Sequence, residues 1–277
     1  MYKILTILIS ALFLSCCSYH CQRAAISVPF ALHPDLPRPF PVHQNYHVGN
    51  YCKIHLEGNY AIELIPTDSK ILTIDTDRAI LPLINIYIRD QTLYIVSLNH
   101  LKCVPCAYTR IRIPVQTLNN LYFEGSGSLN GYKLGCPDLK IYLAGNINVN
   151  LTGFLALTNL NCSNQNTINI CGVNSRCLLL NENNCGQTFI SGHVCHLDVN
   201  LGSGTCLRAK NLHATFAHIH TRDLSSAEVY VTKDLNAFAE DFSNIYYYTR
   251  PHFLAPYMSN SGSVIDMVGC TECCSFR

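Results

Sequence analysis

Cysteine offers the most chemistry in this chain, with sixteen of them in 277 residues. Two groups have spacing that invites a reading, Cys103-Val-Pro-Cys106 and Cys270-Thr-Glu-Cys273-Cys274. The first has the spacing of a redox dithiol, but that chemistry needs a helix N-terminus to lower the thiol pKa. Here it lies between two strand-like runs, Leu93-Tyr-Ile-Val96 and Ile111-Arg-Ile113, so it reads as a turn closed by a local disulfide. Cys270, Cys273 and Cys274 can pair with that turn or among themselves. Four thiolates from the two groups can also hold zinc, although an oxidising compartment favours disulfides. A third set, Cys162, Cys185 and Cys206, recurs at 23 and 21 residues. It suits either a cross-linked column on neighbouring strands or small interior side chains.

The other reactive residue types are scattered. Alternation along a strand puts His193 and Cys195 on one face, His196 on the other, and His218 and His220 together, so stacked strands can bring two imidazoles together as metal ligands. The acids Glu124, Asp138, Glu182, Asp198, Asp223, Glu228, Asp234, Glu240 and Asp241 form no pair that recurs from one repeat to the next, as sugar hydrolysis would require, and read as solvated surface groups. No Ser-His-Asp motif or phosphate loop is present, and Gly125-Ser-Gly127 and Gly202-Ser-Gly204 are too short for a dinucleotide fingerprint. The expectation is a chain without catalytic residues, resident metal or cofactor.

The elements that would position these residues repeat. Leu121-Tyr-Phe-Glu-Gly-Ser-Gly-Ser-Leu129, Ile141-Tyr-Leu-Ala-Gly-Asn-Ile-Asn-Val149, Leu197 to Cys206, Leu224 to Val229 and Ser261-Gly-Ser-Val264 restate one phrase: apolar alternation broken by small polar corners. Taking the apolar residue after each corner yields Leu129, Ile147, Ile168, Phe189, Cys206 and Val229. A unit of about 20 residues cannot bury its own apolar face and must stack on its neighbour, the mark of a solenoid. Period-two patterning makes the units strands, so the fold class is all-β, a β-solenoid with short rungs. Asn is dense from Asn146 to Asn200, 13 in 55 residues, as expected where amides stack into ladders at corners.

Composition narrows the setting. The chain is 48% hydrophobic and 13% charged, with Lys+Arg 19 against Asp+Glu 18 and a net charge of +1. No basic block exists to neutralise phosphates, so nucleic acid is not an expected partner. Met1-Tyr-Lys3, the apolar run from Ile4 to Leu14 and Ser15-Cys16-Cys17 form a secretory signal too short to span a bilayer, which takes about 20 residues. Its end resembles a bacterial lipobox, with Leu14 at −3 and Ser15 at −2 of Cys17. Cys17 is the expected lipidation site and Cys16 the alternative, with an ordinary cleaved signal as the other reading. Residues 18–45, with five prolines between Pro29 and Pro41, read as a semi-rigid tether. The solenoid is expected over 46–267, followed by a Cys-rich tail over 268–277.

These features together resemble the autotransporter-adhesin head GIN domain family over residues 46–267. Val48 to Leu64 is similar to the family's first hairpin, joined at a Gly, and Leu93-Tyr-Ile-Val96 to the next strand. Ile113-Pro-Val-Gln-Thr-Leu-Asn-Asn-Leu121 with Gly125-Ser-Gly127 resembles its approach to a Gly-Ser-Gly corner. Tyr247-Tyr-Thr-Arg-Pro251 resembles its Tyr-x-Gly-x-Pro element, with Thr249 replacing Gly, and Ser261-Gly-Ser-Val264 follows in the family's order. The resemblance implies a right-handed parallel β-helix on the bacterial envelope, outer membrane or cell surface, acting as a non-enzymatic binding, adhesion or structural module. Its expected partners are the membrane, through the N-terminal lipid, and a protein or glycan ligand on the solenoid face. The competing readings are a solenoid carbohydrate enzyme and a cysteine-dependent metal or redox protein. A surface column of aromatic residues would favour binding, facing carboxylates the enzyme, and a Cys/His cluster the metal protein.

Overall fold

The computed structural model describes residues 41–97 and 109–270. The chain divides into units Met1–Pro39 and Phe40–Arg277, and all described residues belong to the second. Its strands are β1 Pro41–His47, β2 Lys53–Pro66, β3 Ile71–Asp77, β4 Ile84–Arg89, β5 Thr92–Ser97, β6 Arg110–Val115 and β7 Asn120–Ser163. They continue as β8 Thr167–Asn183, β9 Gln187–Leu201, β10 Cys206–Thr221, β11 Ser226–Ala239, β12 Asn244–Tyr247, β13 Phe253–Met258 and β14 Ser263–Asp266. The one helical piece among the described residues is a 3-10 turn at Leu81–Leu83. None of the described helices is long and apolar enough to cross a membrane.

Each long strand is nearly a full turn of backbone, bent at its corners and paired in parallel with the turns before and after it. The result is a β-solenoid of about six turns. Val149 pairs with Ile168, Ile168 with Thr188, Thr188 with Leu207, Leu207 with Ala227, Ala227 with Ile245 and Ile245 with Val264, a pitch of 18 to 20 residues. The sequence spacing had placed Ile147, Phe189, Cys206 and Val229 in this column, and they stand one or two residues away from it. Ile147 and Val229 remain buried, because a two-residue slip preserves the face; Phe189 and Cys206, slipped by one, turn outward.

One continuous core runs through the turns, from Ile54, Leu56 and Ile62 through Leu129, Ile168 and Val199 to Ile245. Its later turns use smaller side chains, among them Ala209, Ala217, Ala227, Ala237 and Ala239. At the N-terminal end, antiparallel β1 and β3 lead through β6 into the parallel stack. Arg112 bridges Glu63 at 3.2 Å and Asp75 at 3.0 Å, and His43 reaches Asp75 at 2.6 Å, tying the antiparallel strands to β2. β1 begins at Pro41, so this strand takes in the last residues of the segment read as a tether. Residues 53–66 form one bent strand, not the hairpin implied by resemblance; Gly58 turns the chain without reversing it.

Two kinds of corner bend the backbone. In the early turns Gly58, Gly125 and Gly145 stack with φ of +144°, +130° and +143°, and a Cβ on either of the latter two would land on the carbonyl of the glycine below. The later turns use Asn164, Asn184, Ser203, Asp223 and Asp241 at positive φ, followed by buried polar residues. There Thr205 Oγ1 donates to the Gly202 carbonyl at 2.7 Å, while Ser225 Oγ and Ser243 Oγ accept the amides of Arg222 and Glu240, both at 3.0 Å. Each such side chain satisfies a backbone group that the corner would otherwise leave buried and unpaired.

Candidate functional side-chain column

Parallel register at a near-constant pitch brings equivalent outward positions into axial columns. On the face formed by residues 53–57, 120–124, 177–183, 196–201, 216–221, 234–239 and 253–258, one column carries planar side chains along the stack. Tyr87 pairs with Tyr94, Tyr94 with His55, and His55 with Tyr122. Lys140 N–H donates to the Asn119 carbonyl at 2.7 Å, which sets Tyr142 beside Tyr122. Asn161 then pairs with Asn181, Asn181 with Asn200, Asn200 with His220, His220 with Phe238 and Phe238 with Tyr257.

The geometry of the column follows the strand spacing. Ring centroids lie 4.8 Å apart for Tyr87 and Tyr94, 5.1 Å for Tyr94 and His55, 4.5 Å for His55 and Tyr122, and 5.8 Å for Phe238 and Tyr257. In the middle, Asn181 Nδ2 donates to Asn161 Oδ1 at 2.8 Å and Asn200 Nδ2 to Asn181 Oδ1 at 3.1 Å. Tyr87 and Tyr257 are 42% and 51% exposed, so the two ends present ring surface to solvent. Acids flank the column two residues on. His55 Nε2 lies 2.6 Å from Glu57, Tyr122 OH donates to Glu124 at 2.7 Å, and His220 Nε2 lies 3.3 Å from Glu240. The Glu124 bond, with burial, pushes the Tyr122 hydroxyl up to about 12.

A shorter column lies on the adjoining face. His193 and His213 meet edge to face at 5.1 Å, and His213 stacks on Tyr230 at 4.4 Å. The expected meeting of two imidazoles is therefore made by His193 and His213, but no group of three or more His, Cys, Asp or Glu able to hold a metal exists among the described residues. His218 and His220 share a face as expected. His196 does not oppose His193: both point outward, since the strand turns a corner between Val194 and Leu197, which are both buried. An open groove of about 540 Å³ crosses the corners, lined by Gly125, Gly145, Asn146, Asn164, Gln165, Asn184, Cys185 and Ser203.

All nine described cysteines, Cys270 included, are free thiols. The cross-linked column of Cys162, Cys185 and Cys206 is therefore not formed: Cys162 is interior opposite Glu182, Cys185 stands in a corner at positive φ, and Cys206 faces Gln187 and Ser226. Cys16, Cys17, Cys103, Cys106, Cys273 and Cys274 lie outside the described residues.

Glu182 departs from the expectation of a solvated acid. It is buried beneath Gly186, takes a hydrogen bond from Thr188 Oγ1 on Oε1, and leaves Oε2 without a partner. Burial raises its pKa to about 7, the Thr188 bond opposing, and burial together with Glu182 lifts the neighbouring Cys162 thiol well above its usual range. A signal was present in the alternation Leu178, Leu180, Glu182, which puts all three side chains inward.

The comparisons agree with this architecture. The family described as "Putative auto-transporter adhesin, head GIN domain" matches residues 50–251. A solved "putative adhesin" of Parabacteroides distasonis is 15% identical, with 83% of this chain and 98% of that one covered at a TM-score of 0.67. A "putative lipid binding protein" of the same organism is 20% identical, covering 82% and 96% at 0.65, and a "putative adhesin" of Parabacteroides merdae is 16% identical, covering 82% and 95% at 0.61. At these identities the likeness is one of fold. No curated protein matches the chain.

Proposed function

This chain belongs to the head GIN domain family, and from that premise we propose that it is an exported, lipid-anchored module of the bacterial envelope that binds without catalysis through its column of planar side chains. The column carries the reading. Tyr, Phe and His rings with interleaved amides supply contact area at little conformational cost, and they recur on turn after turn, so that weak contacts act together. The acids beside it are held by its own rings, which suits positioning better than proton transfer. The lipid on Cys17, or on Cys16 in its place, supplies the membrane affinity.

The test has two arms. Cys17→Ala should move the protein from the membrane to the soluble fraction; retention of that variant with release of Cys16→Ala would reassign the site, and release of neither would overturn the anchor. Beads coated with the released chain should adhere to bacterial or mucin-coated surfaces and lose adherence on combined Tyr122→Ala, Phe238→Ala and Tyr257→Ala substitution. Adherence unchanged by that triple substitution would remove the column from the function.

A further inference from the structure

We infer that the column is a track for a linear, uncharged polysaccharide lying along the solenoid axis; this rests on the binding role proposed above and specifies its ligand. A pyranose has an apolar C–H face and a rim of hydroxyls, and the column offers a matching surface for each. Tyr87 at one end and Phe238 with Tyr257 at the other present ring faces to stack under sugars. Between them Asn161, Asn181 and Asn200 form an amide ladder. Asn200 commits a single N–H to Asn181, so its second N–H and its carbonyl lone pairs face outward to hydroxyls.

Periodicity sets the direction. Successive strands lie about 4.8 Å apart, close to the advance of one sugar in an extended chain, so successive sugars meet successive turns along the axis. A strand of another protein laid across this face would instead find backbone groups already paired, because the face is the interior of a sheet and not its edge. Charge decides between classes of polysaccharide. The column contains no Lys or Arg, and Glu57, Glu124 and Glu240 run beside it. A sulfated or uronic-acid polymer would meet acids there, which disfavours it; a neutral chain meets no penalty.

The full chain carrying Cys17→Ala, run through native gels containing soluble mixed-linkage β-glucan or galactomannan, with dextran sulfate as the anionic control, tests this. Retardation by at least one neutral polysaccharide is expected. Phe238→Ala and Tyr257→Ala should each weaken the association about tenfold, and Asn200→Ala, which leaves every ring in place, about threefold. Tyr132→Ala, exposed but off the column, should leave it unchanged. Retardation by neither neutral polymer, by dextran sulfate alone, or undiminished in the column variants would overturn the inference. If the triple substitution still abolishes bead adherence while no neutral polymer retards the chain, the binding face stands and its ligand is of another class; if adherence also persists, both readings fall.

Discussion

The corners of the early and the later turns solve one backbone problem with different chemistry. At Gly58, Gly125 and Gly145 the chain bends tightly through positive φ and the carbonyl of one turn occupies the place where a Cβ on the next would sit. Only glycine fits, and it leaves no side chain to satisfy the corner. The later corners are wider, place Asn, Ser or Asp at positive φ, and follow these with a buried Asn166, Thr205, Ser225 or Ser243 that bonds the backbone. Backbone freedom and side-chain capping are thus interchangeable solutions, but their failures differ. A glycine corner fails by steric overlap, and a capped corner by leaving a polar group unpaired.

Gly186 stands in the capping column, between Asn166 and Thr205, without a side chain to cap with. The carboxyl of Glu182 occupies the space beneath it: an added Cβ would lie 3.8 Å from Oε2. This corner combines the two solutions and pays for it with a buried acid that has one bonded oxygen and one bare one.

The sharpest way to break the comparison is Gly145→Ala, which should cost about 3 kcal/mol through overlap with the Gly125 carbonyl. Ser203→Gly, at a capped corner and positive φ, should change stability by less than about 1 kcal/mol. Equal losses in urea melts would show that the two corners do not differ in kind. The next effect is on pH dependence. Glu182 has a folded pKa of about 7 against an ordinary 4.5, so between these values the folded state holds a proton that the unfolded state has lost. Stability is therefore highest below pH 4.5, falls as pH rises to 7 by about 3 kcal/mol, and is flat beyond. Glu182→Gln should remove that slope in melts taken across the window, and a slope identical to that of the parent would assign it to other groups. The smallest effect is that of Ser225→Ala. Its hydroxyl accepts the Arg222 amide and donates to the Leu201 carbonyl, so its loss should cost about 1.5 kcal/mol. A cost near zero would mean that water takes over the cap.

Why the register of the repeats was only partly legible follows from the same corners. Gly-Ser-Gly, Asn-Gln-Asn, Asn-Cys-Gly and Asp-Leu-Ser look unlike one another, and the offset from corner to core differs between them. Anchoring on the first apolar residue after each corner therefore slipped the column at Phe189 and Cys206, while Leu129 and Ile168 were placed correctly. Cys162, Cys185 and Cys206 were misjudged as a cross-linked set for the same reason: regular spacing in sequence is not regular spacing in space when corners vary.

The alternation of apolar residues, the small polar corners and a repeat of about 20 residues determine by themselves that this chain stacks strands into a solenoid, because no other arrangement buries units so short. The run of Asn likewise announces its ladders, since identical amides bond when turns superpose. Only the tertiary structure decided which side chains share a column. Tyr87, Tyr94, His55, Tyr122, Asn181, His220 and Tyr257 are drawn from strands that are not consecutive in sequence, and their alignment depends on the summed length of every corner between them. Alternation chooses whether a residue faces in or out; pairing register chooses its neighbours, and that is set by the whole stack.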